Sequence, residues 1–228
     1  MPSTDSSRVA AIAVATVYGT LLNDRATVDR LAEAFTQPPY KAPPKAPVLY
    51  VKPRNTLASE GAEVAIPPQT GEVRIDATVG AVIGRRATKL SEAEALDYVS
   101  GYRVVSDITL AHENYYRPSI QLRCRDGFCP MSEPVTAQGF DLACSTLVVK
   151  INGQQVHERR FADLVRPLPR LIADVTEFMT LEAGDVLLVG PPEGAPLARP
   201  GDRVELEVPG LGKLSHTVVF EINGGARQ

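Results

Sequence analysis

The chain of 228 residues lacks a strong charge of either sign: 24 basic and 27 acidic residues leave a formal net charge of -3. Bulk electrostatics therefore select neither nucleic acid nor an anionic membrane as partner, although local arginines could still bind small acids. Cysteine is scarce. Cys124, Cys129 and Cys144 cannot all pair within the chain, and a chain this long can bury a core without covalent staples. Reduced thiols in a cytoplasmic protein are the expectation. Cys124 and Cys129 bracket RDGF at a spacing that suits neither a redox CxxC nor a zinc site, so a turn flanked by small core residues is the plainer reading. Membrane-length apolar runs are missing as well. VAAIAVATVYGTLL is interrupted by Thr16, Tyr18 and Gly19 and follows no basic leader, which makes it a buried strand rather than a membrane span or signal peptide.

Catalytic signatures are equally sparse. No HExxH, Walker lysine pair or nucleophile elbow occurs, and Gly80 and Gly84 lead into RRATK without a dinucleotide fingerprint. What remains is an ordinary globular balance, 44% apolar and 22% charged. A strand over about 9–18, a loop with Asn23 and Asp24, and a short helix carrying Val28, Leu31, Ala32 and Phe35 open the chain. A proline-rich crossing follows, YKAPPKAP, too poor in N–H donors for helix or central sheet. The pattern divides the chain into a small segment, 1–45, and a main domain, 46–228.

Within the main domain, VLYVK, TVGAVIG, YRVVSDI, FDLACSTLVVKING and DVLLVG read as strands, and GDRVELEVPGLGKLSHTVVFEI as a half-exposed hairpin. Two helices are expected. One starts at a capping box of Ser91 and Glu94 and closes at Gly101; the other runs from Leu168 to Met179 with Leu171, Ile172, Val175 and Phe178 on one side. The fold class is mixed α/β, mostly β: an antiparallel roll or sandwich with a few short helices.

Asp76, in RIDATVGAVIGRR, and Asp107 each stand at the polar end of an apolar β run. Oxygen ligands from two such strands suit Mg2+ or Mn2+, although aspartate at a strand end more often serves a turn. Lys52, Arg54, Arg117 and Arg123 supply cations whose geometry suits a dicarboxylate or tricarboxylate, against the plain alternative of exposed, unliganded arginines. Among the scattered histidines, His112 beside Glu113 is the candidate acid–base group; a hydrogen-bonded surface histidine is the bland reading.

YKAPPK…KPRNT, ATKLSEAEALDYVSGYRVVSDITL, YYRPSIQLRCRDGFCP, FMTLEAGDVLLVGPP and PGDRVELEVPGLGKL together resemble the fumarylacetoacetate hydrolase family. Within it the likeness is strongest to the isomerase/decarboxylase branch of 4-hydroxyphenylacetate (homoprotocatechuate) degradation. The resemblance implies the family's mixed β fold, a homodimer or a hetero-oligomer with a homologous second subunit, Mg2+ or Mn2+, and an acidic 2-oxo substrate. It also implies decarboxylation of 5-oxopent-3-ene-1,2,5-tricarboxylate to 2-hydroxyhepta-2,4-dienedioate and isomerisation to 2-oxohept-3-enedioate. By position, the family's Glu-x-Glu pair falls on Asp76 and Thr78, its later aspartate on Asp107 and its active-site lysine on Arg123. Its Asn-Tyr and His-x-x-Glu fall on Val17-Tyr18, Leu21 and Asp24, and its Thr-Gly-Thr-Pro loop on Val189-Gly190-Pro191-Pro192. Two expectations follow from these replacements: a catalytic subunit with a pocket of Asp76, Asp107, Arg54 and Arg123, or a non-catalytic partner with a degenerate metal site. An acidic-ligand binding protein is the third.

Overall fold

A computed structural model describes residues 13–112, 115 and 119–221. In chain order it forms β1 (Val17–Leu21), α1 (Arg25–Arg30), β2 (Val48–Lys52), β3 (Leu57–Ala58), β4 (Glu63–Ile66), β5 (Val73–Ile83) and β6 (Val99–Thr109). After α2 (Ile120–Arg123) come β7 (Cys129–Pro130), β8 (Val135–Thr136), β9 (Thr146–Ile151) and β10 (Gln154–Arg160). α3 (Leu168–Thr176), β11 (Val186–Leu188), β12 (Leu197–Ala198), β13 (Arg203–Val208) and β14 (Gly212–Phe220) follow. Among these residues one sheet runs β2-β1-β11-β5-β6-β8, with β12 also on β5, and a second runs β10-β9-β13-β14-β4. Only β1–β11, β4–β14 and the small β3–β7 pair are parallel. The mostly β sandwich with short helices is as expected, and β1, from the proline-rich segment's N-terminal side, sits inside the larger sheet.

β5 and β6 position everything that matters here. Their ladder runs from Arg74↔Thr109 to Ile83↔Val99, and almost every residue of both strands is buried. Alternation assigns the two faces. Ile75, Ala77, Val79 and Ala81 join Val104 and Ile108 in the main core, which also holds Val149, Leu206 and Leu214 of the second sheet. The opposite face carries Asp76, Thr78 and Val82 of β5 with Val105 and Asp107 of β6, next to a smaller apolar cluster of Val17, Met131, Val186 and Leu188.

Three expectations are corrected. Half of the capping box forms, with Glu94 accepting from the Ser91 backbone N–H and hydroxyl while its own N–H donates to the Ser91 carbonyl, and it precedes only a 3-10 turn, Ala95–Tyr98. The reason is tertiary: the chain from Val99 onward pairs with β5, and that ladder outweighs local helix propensity. Gly101 thus closes no helix; it lies in β6, where a Cβ would meet the Val135 carbonyl oxygen at 2.6 Å. The late helix stops at Thr176, short of Met179, and leaves Phe178 64% exposed. The first strand begins at Val17, and the part of its expected range before residue 13 lies outside the described residues. Cys129 is a buried core residue whose thiol burial pushes up to about 12, whereas Cys124 is only half-buried and Cys144 is exposed.

Candidate functional site

Asp76 and Asp107 are direct cross-strand partners in the β5–β6 ladder, so their carboxylates share one face. Each is 1% exposed. Like charges directly opposite one another destabilise a sheet, and burial multiplies the repulsion, so this pair demands a cation. The short helix α2 delivers one. Leu122 accepts from the Leu110 backbone N–H at 3.0 Å, and the Arg123 carbonyl accepts from Lys52 Nζ at 2.6 Å, fixing the turn that carries Arg123. The guanidinium then forks across the strands: Nη2 to Asp76 Oδ2 at 2.8 Å and Nη1 to Asp107 Oδ2 at 2.9 Å.

Two further cations complete the cluster. Lys52 Nζ lies 2.9 Å from Asp107 Oδ1, and Arg74 Nε lies 3.0 Å from Asp76 Oδ1. Tyr50 donates its hydroxyl to Asp107 Oδ2, and the Arg123 guanidinium sits 4.9 Å from the centre of the Tyr50 ring. Burial alone would raise the Asp107 carboxyl, but Lys52 and Arg123 outweigh it and hold the group below its ordinary value. Burial and the neighbouring Asp107 charge push the Tyr50 phenol well up, so it stays a donor. For Arg123, burial opposes the charge, yet the two aspartates outweigh it and the guanidinium is held more firmly protonated than usual.

Thr78 is buried two residues along the same face, and its hydroxyl donates to the Gly190 carbonyl at 2.8 Å. Arg159, beneath, donates to the same carbonyl at 2.6 Å. Gly190 has φ of 106°, and a Cβ there would stand 2.5 Å from the Thr20 carbonyl oxygen, so only glycine can offer this acceptor. Two cavities meet at the cluster. One of about 430 Å³ is lined by Arg74, Asp76, Arg30, Tyr115 and the 191–197 loop; the other, about 330 Å³, lies beside Tyr50, Arg123, Leu49 and Ile120.

The structure therefore brings together Asp76, Asp107, Lys52 and Arg123, with Lys52 and Arg123 sealed against the carboxylates rather than open to a substrate. Arg54 is exposed in the turn after β2 and makes no ion pair among the described residues. His112 gives its backbone carbonyl to Arg74 Nη1 at 3.1 Å, and its ring packs 6.1 Å from that of Tyr115. Arg117 lies outside the described residues. Tyr50, Arg74 and Arg159 were not anticipated. A period of two puts Tyr50 beside Lys52 on β2 and Arg74 beside Asp76 on β5, a signal that could have found the first two. Arg159 reaches Gly190 from another sheet, and no local spacing announces that.

Residues 16–219 match the family model described as fumarylacetoacetate (FAA) hydrolase C-terminal. The chain belongs to the fumarylacetoacetate hydrolase family. A 4-hydroxyphenylacetate degradation bifunctional isomerase/decarboxylase from Salmonella dublin is 40% identical over 206 residues, 90% of this chain and 47% of that protein. The chain thus spans about half the length of that curated relative. Among solved structures, a 5-carboxymethyl-2-hydroxymuconate delta-isomerase from Mycobacterium smegmatis superposes with TM-score 0.77 at 25% identity, covering 92% of this chain and 78% of that one. A fumarylpyruvate hydrolase from Pseudomonas aeruginosa, in complex with Mn2+ and pyruvate, gives TM-score 0.78 at 22% identity over 91% of each chain and supports the fold.

The Mg2+ or Mn2+ that membership of this family implies can be tested against the donors present. All four carboxylate oxygens of Asp76 and Asp107 already face a cation, and the third position, Thr78, offers a hydroxyl that is donating elsewhere. Three cations surround two carboxylates, so an added divalent ion would enter a field that is already positive. Hard cations need several free oxygens in near-octahedral order. The residues of this family member do not fit the ion, and among the described residues no group of three or more metal-ligating side chains occurs.

Proposed function

We propose that this chain serves as one half of an isomerase/decarboxylase that converts 5-oxopent-3-ene-1,2,5-tricarboxylate to 2-hydroxyhepta-2,4-dienedioate and then to 2-oxohept-3-enedioate. In this reading the metal-dependent step belongs to a homologous half with free carboxylate ligands, and this half completes and stabilises the assembly. The observation that carries it is the closed Asp76–Arg123–Asp107 bridge, in which the carboxylates are already neutralised by the chain's own cations. The 40% identity to the Salmonella dublin isomerase/decarboxylase over half of its length supports the pathway.

The cavity beside Arg74 favours a second, compatible role in holding an acidic molecule. Arg74 lines that cavity with its side chain 14% exposed, and with Arg74 counted the cluster of Lys52, Arg74, Arg123, Asp76 and Asp107 carries one more positive charge than negative. A carboxylate seated there would meet the Arg74 guanidinium, whose Nε and Nη1 already hold Asp76 and the His112 carbonyl and whose Nη2 is left to bind it. The test is decarboxylation of the tricarboxylate by this chain alone, by a homologous metal-binding half alone, and by the two together. The reading predicts no turnover by this chain and faster or longer-lived turnover in the mixture than by the other half. Turnover by this chain alone, dependent on Mg2+, would refute it.

A further inference from the structure

We propose that a cleft at Tyr102, apart from the Asp76–Asp107 cluster, binds a neutral phenolic compound of one or two rings. Tyr102 on β6 lies an odd number of residues from Asp107, so strand alternation turns its ring to the opposite face, into the main core with Val104 and Ile108. There a cavity of about 410 Å³ lies between β6, the loop that carries Asp141 and the start of α3. Its walls suit an aromatic body. The Tyr102 and Phe140 rings are tilted 57° to each other with centres 5.0 Å apart, and Phe161 and Leu168 add buried apolar surface. Pro167 and Pro169, at the α3 end, have no N–H to offer a ligand.

Two polar groups in this apolar lining select the ligand. Tyr102 is 3% exposed, yet its hydroxyl has no hydrogen-bond partner among the described residues. A buried phenol ordinarily has one, so this hydroxyl is left for a ligand. Burial and the nearby Asp141 charge push the phenol up, which keeps it a donor. Asp141 lines the same cavity from an exposed turn, where its Oδ1 accepts from the Ala143 N–H at 2.9 Å. Hydrogen bonds from Cys144 and Ala143 hold its carboxyl below the ordinary value, so it is an acceptor at neutral pH. A ligand hydroxyl accepts and donates at once, which matches one donor and one acceptor. Among the described residues no lysine, arginine or histidine lines the cavity, so a carboxylate entering it would meet Asp141 without a counter-charge. That selectivity is the reverse of the acid-binding chemistry proposed above, and the two can fail separately.

The experiment is calorimetric titration of the full chain at neutral pH with 2-naphthol, and with 2-naphthoate as the anion of matched shape. The unaltered chain should bind 2-naphthol saturably at one site and 2-naphthoate at least about tenfold more weakly, a margin of the size that one uncompensated charge supplies. Tyr102→Phe removes a hydroxyl that holds nothing in the free chain, so it should leave the melting point unmoved and weaken 2-naphthol by roughly three- to tenfold. Asp141→Asn, in an exposed turn, should weaken 2-naphthol and strengthen 2-naphthoate, narrowing the preference. No saturable 2-naphthol binding would overturn the inference. So would equal affinity for the two compounds, or 2-naphthol binding that neither variant changes. A cleft covered instead by a second copy of the chain would appear as a dimer broken by Leu96→Glu at the exposed rim, with no 2-naphthol taken up, and that outcome too would overturn it.

Discussion

Replacing Lys52 by Met tests whether the cluster is held by charge pairing in a dry interior. Lys52 is 1% exposed, and its ammonium contacts Asp107 Oδ1 at 2.9 Å and the carbonyls of Arg123 and Ile108 at 2.6 and 3.3 Å. The methionine fills most of the volume, so the loss is electrostatic rather than a cavity. Breaking one partner from a buried ion pair costs about 3–5 kcal/mol. Arg123 and Tyr50 still reach Asp107, which places the expectation at the lower end of that range. For a chain of this length that is a fall in melting temperature of roughly 6–12 °C, with the denaturant m-value unchanged. The pH dependence follows from the depressed Asp107 carboxyl. Its folded value lies below the unfolded value of about 3.9, so its contribution is fully present above that pH and disappears as pH falls through the folded value. Lys52→Met raises the folded value, so the deficit should be full at neutral pH and shrink in acid. Urea melts from pH 7 downward give both numbers. A loss below about 1 kcal/mol at neutral pH, the range of an exposed pair, would refute the reasoning.

His216 on β14 is buried with Nε2 2.9 Å from Ser106 Oγ on β6, and burial lowers its imidazole to about 4. Between about 6.5 and that value the unfolded state binds the extra proton, so stability should fall by about 3 kcal/mol on acidification, and His216→Gln should flatten that slope in pH-dependent melts. Gly101→Ala should destabilise by about 1–3 kcal/mol, because the new methyl meets backbone rather than a flexible side chain. Amide exchange should quicken at the β6–β8 pairing of Gly101 with Thr136 while the far end of β6 stays protected.

The fold was largely legible because its strands carry their signals locally. The β13–β14 hairpin alternates Val204, Leu206 and Val208 inward with Glu205 and Glu207 outward, and turns at glycines with positive φ. β5 and β6 read as strands from their apolar runs, but nothing local announced that β6 would begin at Val99 and override the capped turn before it. The site was half legible. Asp76, Asp107, Lys52 and Arg123 were named from their residue types and from family position, yet the fork that joins them depends on a cross-strand register and on a four-residue helix. A carboxylate looks the same in sequence whether a metal or an arginine will neutralise it. That choice is made by Tyr50, Arg74 and Arg159, which reach the cluster from three separate strands.

The claim that the chain supplies its own cation is tested most directly by anomalous diffraction from crystals of the unaltered chain soaked in Mn2+, recorded at the manganese edge. The account predicts no anomalous peak between Asp76 and Asp107, with the Arg123 guanidinium bridging both carboxylates. A peak at that position, with Arg123 swung away, would contradict it.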